Sequence, residues 1–271
     1  MEGVASIASW QGLATLAIAI GFSSIRLAVA FLIVPIFSNE TIPALIRNSI
    51  FAALALVIAT VQPIDPQLLG APLARLLVIV AKEIFLGVSL GVLFGVFLWA
   101  FEAAGELLDT QIGTAQAQIF DPISGHEVTL MSEFLGRFVN FLFMAVGGLS
   151  LLSGVVLRSF AVWPIDAPLP PLERGAAGTL TESFADVFTL AVLVAAPILV
   201  VIFVVDFAMG LINRFAQRLN VYFLSNSIKY LVAILLLMML MPSLIDRLVT
   251  TLDENAVTAI ELVRSLFAAD R

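Results

Sequence analysis

The chain has 271 residues, 61% of them hydrophobic and only 12% charged, with a formal net charge of −7. Soluble proteins carry about a quarter charged residues, so a mean hydropathy of +1.10 lies far outside soluble norms and makes the membrane the expected solvent. The chain has no cysteine, which excludes disulfides, thiolate metal sites and cysteine nucleophiles, and its acidic balance disfavours nucleic acid as a partner.

Six apolar regions follow one another, over residues 13–37, 42–61, 68–101, 134–163, 184–212 and 221–249. A helix needs about 20 residues to cross the hydrocarbon core, and runs this long without alternation are not barrel strands. The expected fold class is therefore all-α, a multi-pass integral membrane protein of long, partly broken helical hairpins. It is expected to form a single membrane-embedded domain over residues 1–271. The opening "MEGVASIASW" has no positive charge before Arg26 and does not read as a secretory signal, so the N-terminus is expected to be retained. The region 68–101 would be about 50 Å long as one helix, which means either two helices or one standing well proud of a bilayer. Within it "LGVSLGVLFGVF" places Gly87, Gly91 and Gly95 four apart, a smooth face that lets a neighbouring backbone approach, from this chain or from another subunit. The stretch 164–178 has four prolines and reads as a loop outside any helix. The tail 252–269 spaces Leu252, Val257, Ile260, Val263 and Phe267 at helical intervals and reads as an amphipathic helix at a surface. Lysines and arginines are scattered; only Arg214, Arg218 and Lys229 cluster, so membrane orientation is weakly marked.

Among the charges inside the apolar regions are Arg26, Lys82, Glu83, Arg137, Asp206 and Lys229. Placing such a group mid-helix in a bilayer costs at least about 2.5–3.5 kcal/mol, so each is expected to face protein or water. Lys82 and Glu83 are adjacent and point about 100° apart, so each should find its partner elsewhere. Two roles fit these charges: conduction of ions or protons, and cross-links between helices or subunits.

Between the third and fourth apolar regions lies "GELLDTQIGTAQAQIFDPISGHE", residues 105–127, with four acids, three glutamines, the only histidine of the chain and no lysine or arginine. Glu102, Glu106 and Asp109 stand i, i+4, i+7 and share one helical face, which repels itself unless wet or countered by cations. Gly113, Asp121–Pro122 and Gly125 then favour an irregular loop. Irregular backbone at membrane depth is tolerated only against protein or a water-filled cavity. A metal site would draw on Glu102, Glu106, Asp109 and His126, but their spacing matches no zinc motif. HExxH and the P-loop are missing from the sequence, and a serine nucleophile would have a single histidine to draw on. No catalytic, metal-binding or cofactor-binding residue is therefore assigned. Two readings of the segment stay open: a solvated surface loop, and a constriction or gate lining an aqueous path.

The segment resembles the central motif of the FliR/SctT family, the single-copy membrane subunit of the export apparatus of flagella and type III injectisomes. The resemblance extends to "RLAVAFLIVPIFS", "IPALIRNSI", "KEIFLGVSLG" and "VDFAMGLINRFAQRLNVYFLSNSIK", in this order. "GGLSLLSGVVLRSFAVWP", ending in Trp163–Pro164, and "LNVYFLSNSIK" are more similar to the injectisome branch than to the flagellar one. The chain departs from the family pattern at Gln217–Arg218, where Pro-Gln is common, and at Asn226–Ser227, where Met-Pro is common. The resemblance implies a non-enzymatic subunit of a protein-conducting channel at the bacterial inner membrane. It implies assembly with two smaller multi-copy membrane proteins, SctR-like and SctS-like, with a SctU-like switch protein, and with secreted proteins in transit. Carried onto this sequence, the channel plug falls on residues 111–125, with Gln111, Gly113, Gln116, Ile119, Phe120, Asp121, Pro122 and Gly125, and Phe120 is the apolar stopper. The alternative of a different class is an ion-coupled membrane transporter or channel using the carboxylates as a relay.

Overall fold

A computed structural model describes residues 10–37, 42–61, 70–113, 119–120, 127–167, 174–215 and 221–268. Seven α-helices are found among them. Helix α1 is Trp10–Ile33, followed by a 3-10 turn at Pro35–Phe37; α2 is Ala44–Val61 and α3 Leu73–Ile112. Two short strands, β1 (Ile119–Phe120) and β2 (Glu127–Val128), precede α4 (Leu130–Ala145), α5 (Gly148–Val162), α6 (Arg174–Phe215) and α7 (Val221–Ala268). The chain is an all-α, multi-pass membrane protein: the stretches Ala14–Ile33, Leu73–Ile112, Ala185–Phe215 and Leu224–Glu261 are each long and apolar enough to cross a membrane, and α4 with α5 forms a broken fifth candidate. Helix is the form a backbone takes when no water is available to its amides, and α6 and α7 run on through Pro197 and Pro242.

Several boundaries differ from the sequence reading, each for a physical reason. The region 68–101 forms one helix, α3, whose 40 residues reach about 60 Å. The region 134–163 is broken at Gly147, whose φ of 84° is a left-handed conformation open chiefly to glycine. The stretch 164–178 is not all loop, because α6 begins at Arg174, once the last of the prolines has passed. The tail 252–269 is not a separate helix but the end of α7, whose 48 residues run from Val221 to Ala268. On that end Leu252, Ala256 and Ala259 are buried while Val257 is 57% exposed, so the inward stripe is narrower than expected; the side chains of Val263 and Phe267 lie outside the described residues.

The chain groups into two compact units, one made of Met1–Gly95, Gly147–Ser183 and Asp253–Arg271, the other of Val96–Val146 and Phe184–Leu252. In the first, Phe31, Phe37 and Phe51 meet with ring centroids 5.0–6.1 Å apart. The edge-on geometry of the first two pairs suits the ring quadrupoles. Arg47 donates to the carbonyl of Phe37 at 3.0 Å, holding the 3-10 turn to α2. Helix α3 meets α1 through glycine: a Cβ on Gly87 would lie 2.8 Å from Val29 Cβ, and one on Gly91 would lie 2.7 Å from the carbonyl oxygen of Ala30. Gly95 is buried. Asn255, on the end of α7, donates to the carbonyl of Leu93 at 2.6 Å.

In the second unit, α3 and α4 approach as closely. A Cβ on Gly105 would fall 2.3 Å from the Cα of Ser132, and one on Gly136 would fall 2.9 Å from Glu102 Cγ. Ala191, Val194, Ala195, Ile198 and Ile202 form the buried stripe of α6, whereas Phe188, Val200, Phe203 and Phe207 are exposed. An apolar face of that kind suits lipid or a protein neighbour.

Replacing Gly91 tests the closeness of α1 and α3. Gly91→Ala drives a methyl into backbone and should cost about 1–3 kcal/mol, seen as a lower melting temperature of the detergent-solubilised protein. Gly21→Ala, with nothing within 4 Å of the added carbon, should leave melting unchanged or raise it. Equal behaviour of the two variants would contradict the close approach.

Candidate functional site

The polar segment is framed by two helix ends in the second unit. Helix α3 stops at Ile112 because Gly113 turns to a φ of 86°; the Gly113 N–H donates to the carbonyl of Asp109 at 3.0 Å. This is a glycine helix stop, in which a left-handed residue lets the chain leave the helix axis. Helix α4 begins after Thr129, which has the extended backbone of a capping residue but makes no side-chain cap hydrogen bond. The cap comes from α3. Asp109 Oδ2 accepts the N–H groups of Met131 at 2.8 Å and Ser132 at 3.0 Å, two of the amides that a helix leaves unpaired in its first turn. A carboxylate there also meets the positive end of the helix dipole. Ser132 Oγ donates to the carbonyl of Glu102 at 3.0 Å, tying the same turn to α3 a second time.

The three carboxylates that share a face by spacing thus have three environments: Asp109 is fully buried, Glu102 half-buried and Glu106 exposed. For Asp109 the expected countering by water or cations is replaced by helix amides. The segment itself is not wholly irregular. β1 and β2 pair antiparallel, with Ile119 opposite Val128 and Phe120 opposite Glu127. Of Ile119 and Phe120 the backbone alone is described; Gln116, Asp121, Pro122, Gly125 and His126 lie outside the described residues. Gln111 is exposed on the last turn of α3.

The carbonyl of Gln111 accepts a hydrogen bond from Lys229 Nζ at 3.1 Å. The same ammonium lies 3.0 Å from Asp206 Oδ1, to which Ser225 Oγ also donates at 3.4 Å. A cation from α7 thereby sits at the negative end of α3, with a counter-ion on α6. Arg137 behaves otherwise: it is exposed and pairs with Glu133 one turn earlier on its own helix, a surface pair worth about 0.3–0.5 kcal/mol.

The first unit repeats the pattern more deeply. Arg26 Nε and Nη2 donate to the two oxygens of Glu83 at 2.8 and 2.9 Å, and Nη1 and Nη2 reach Ser159 Oγ at 2.9 Å and the carbonyl of Trp163 at 3.0 Å. The guanidinium also lies 3.9 Å from the centroid of the Phe160 ring, a favourable cation–π distance. Lys82 Nζ donates to the carbonyls of Pro164 and Ile165 at 2.7 Å and of Ala167 at 3.2 Å. Contrary to the expectation that Lys82 and Glu83 would each look elsewhere, the ammonium also comes within 3.3 Å of Glu83 Oε1; the long lysine stem spans the angle between adjacent positions. Gly105 and Gly136, and the helix ends that receive Asp109, Lys229 and Lys82, were not singled out in the sequence. The visible signal was a glycine inside a helical run with no turn to explain it.

No cluster of three or more metal-ligating side chains is found among the described residues. The arrangement uses its buried charges to hold helix ends within a multi-pass helical membrane protein. More particularly, residues 17–254 match the model of the family described as bacterial export proteins, family 1, and the chain belongs to that family. It is 29% identical over 213 residues to Yop proteins translocation protein T of Yersinia pestis, covering 78% of this chain and 81% of the relative. It is 27% identical over 229 residues to the secretion system apparatus protein SsaT of Salmonella typhimurium, covering 80% and 87%. Over 218 residues it is 27% identical to the flagellar biosynthetic protein FliR of Bacillus subtilis, covering 80% and 83%. The resemblance to the FliR/SctT family drawn from the motifs is borne out.

The Glu83 cluster generates a stability prediction. Glu83→Leu leaves two buried cations without their carboxylate, and removing one partner of a buried pair costs about 3–5 kcal/mol. The solubilised variant should melt well below the parent. An unchanged melting temperature would mean that Arg26 and Lys82 are held by the surrounding carbonyls alone.

Proposed function

We propose that this chain is a membrane subunit of a type III protein-export apparatus, and that residues 111–125 close its protein-conducting channel at the bacterial inner membrane. Membership of an export family supports the first part, and so do relatives whose names refer to translocation, a secretion-system apparatus and flagellar biosynthesis. The observation that carries the second part is the contrast between the segment and its ends. Both flanking helix ends are held by buried charges, Asp109 and Lys229. Between them the sequence places an apolar pair, Ile119 and Phe120, among polar neighbours.

An apolar constriction gates by dewetting: packed, it excludes water, and moved aside, it leaves a wet path lined by its polar flanks. Gln111, Gln116 and Asp121 supply such flanks, Gly113 and Gly125 permit the backbone excursion, and Pro122 keeps Asp121 from extending a helix. In this role the chain does no chemistry of its own. It works with SctR-like and SctS-like membrane proteins and a SctU-like switch protein. The reading as an ion-coupled transporter gains no support, since Asp109 is occupied by two helix amides and Asp206 by Lys229.

Deletion of residues 114–126 in cells that still assemble the complex should make the membrane leaky to small ions, and Phe120→Ala should do so more mildly. Conductance or small-molecule permeability reads both. A deletion strain as tight as the parent would overturn the gate.

A further inference from the structure

We propose that the outward stripe of α6 around Pro197 receives a membrane helix of another subunit, and that a hydroxyl or carboxamide on that helix donates to the backbone carbonyl of Leu193. The inference rests on the reading of the chain as a subunit of a membrane assembly. Its geometry begins with a missing N–H. Proline has none, so a proline inside a helix frees the carbonyl four residues earlier, which in α6 is that of Leu193. The hydroxyl on the turn before it, that of Thr189, donates to the carbonyl of Ala185 instead, and from Leu190 to Phe215 the helix has no serine or threonine.

The freed carbonyl lies near the centre of the charge-free run 187–205, inside the stretch Ala185–Phe215 that is long and apolar enough to cross a membrane. Water does not reach that depth and lipid tails have no donor, so an unmet backbone group there is costly. Leu193, Pro197, Val200, Val204 and Phe207 follow one another at helical spacing, and all are exposed. The opposite face, with Val194, Ala195, Ile198 and Ile202, is buried. The carbonyl is therefore freed on the side that this chain leaves uncovered. A stripe meant for lipid alone would be served by any apolar residue with an N–H at 197, which would pair Leu193 within the helix. In α7, by contrast, Pro242 stands one turn before the exposed Asp246, close to the end of its charge-free run. The apolar stripe and the single acceptor together specify the occupant. It is a helix apolar along most of the contact, with one serine, threonine, asparagine or glutamine opposite Leu193, residues that hydrogen-bond between membrane helices.

The test uses the complex extracted from cells through a tag on this chain. Pro197→Ala gives residue 197 an N–H and lets the helix take up the carbonyl of Leu193. Partner subunits should then leave the solubilised complex about three- to thirtyfold faster, the factor that one hydrogen bond between membrane helices corresponds to. The same variant freed of partners should melt no lower than the parent, because its helix ladder is complete. Dissociation at the parent's rate overturns the inference, and so does a lower melting temperature of the partner-free variant, which would place Pro197 in this chain's own packing. A photo-crosslinking residue at Val200, 64% exposed, reads the occupant in the intact complex, with the buried Ile198 as the internal control. The expected adduct is a membrane helix of a copurifying subunit with a serine, threonine, asparagine or glutamine within one turn of the attachment. Adducts to lipid alone, or to a helix lacking all four residues, overturn the inference while leaving the subunit reading in place. A parent chain that comes out of the membrane without partners overturns both. Where Pro197→Ala does not assemble, the crosslink at Val200 decides by the same two outcomes.

Discussion

The carboxylate of Glu83 holds two cations at once, Arg26 by both of its oxygens and Lys82 by one, with all three side chains 1% exposed or less. Charges so placed are tolerated only when every donor and acceptor is met. The remaining donors go to Ser159 and to the carbonyls of Trp163, Pro164, Ile165 and Ala167, the chain that follows α5. A turn whose backbone groups would otherwise lack partners is thereby pinned to α1 and α3. Close packing of α1 on α3 through Gly87 and Gly91 makes this possible, because it brings Arg26 and Glu83 within bonding reach.

The same solution recurs in the second unit, where Lys229 meets the end of α3 and Asp109 the start of α4. A helix that ends away from water has orphan amides and carbonyls, and a charged side chain from another helix satisfies them while neutralising the dipole. Buried charge and helix end are each costly alone and become stable together. Each unit is thereby braced by charges that reach from one helix to backbone groups of another segment.

Much of this was legible in the sequence. Long unalternating apolar runs gave the all-α membrane fold, and lone charges inside them required partners. Which partners could not be read, because the groups that meet Lys82 and Lys229 are backbone carbonyls, and any residue supplies one. Asp109 was grouped with Glu102 and Glu106 by helical spacing, which gives a shared face but not the neighbour that faces it. Gly105 and Gly136 lack the four-residue period of Gly87, Gly91 and Gly95, and their role depends on which helices become neighbours. The Gly147–Gly148 pair was a visible sign of the break between α4 and α5. The helix from Arg174 was hidden by the prolines before it and by Gly175 and Gly178 within it, residues that elsewhere mark loops.

The claim that this chain works as part of a channel assembly is tested most directly by native mass spectrometry of the complex recovered through a tag on it, after mild extraction from its own cell. The predicted result is one copy of the 29.0 kDa chain bound to several copies each of two smaller membrane proteins. Recovery of the chain alone, as a stable 29.0 kDa species that carries ions when placed in liposomes, would contradict it.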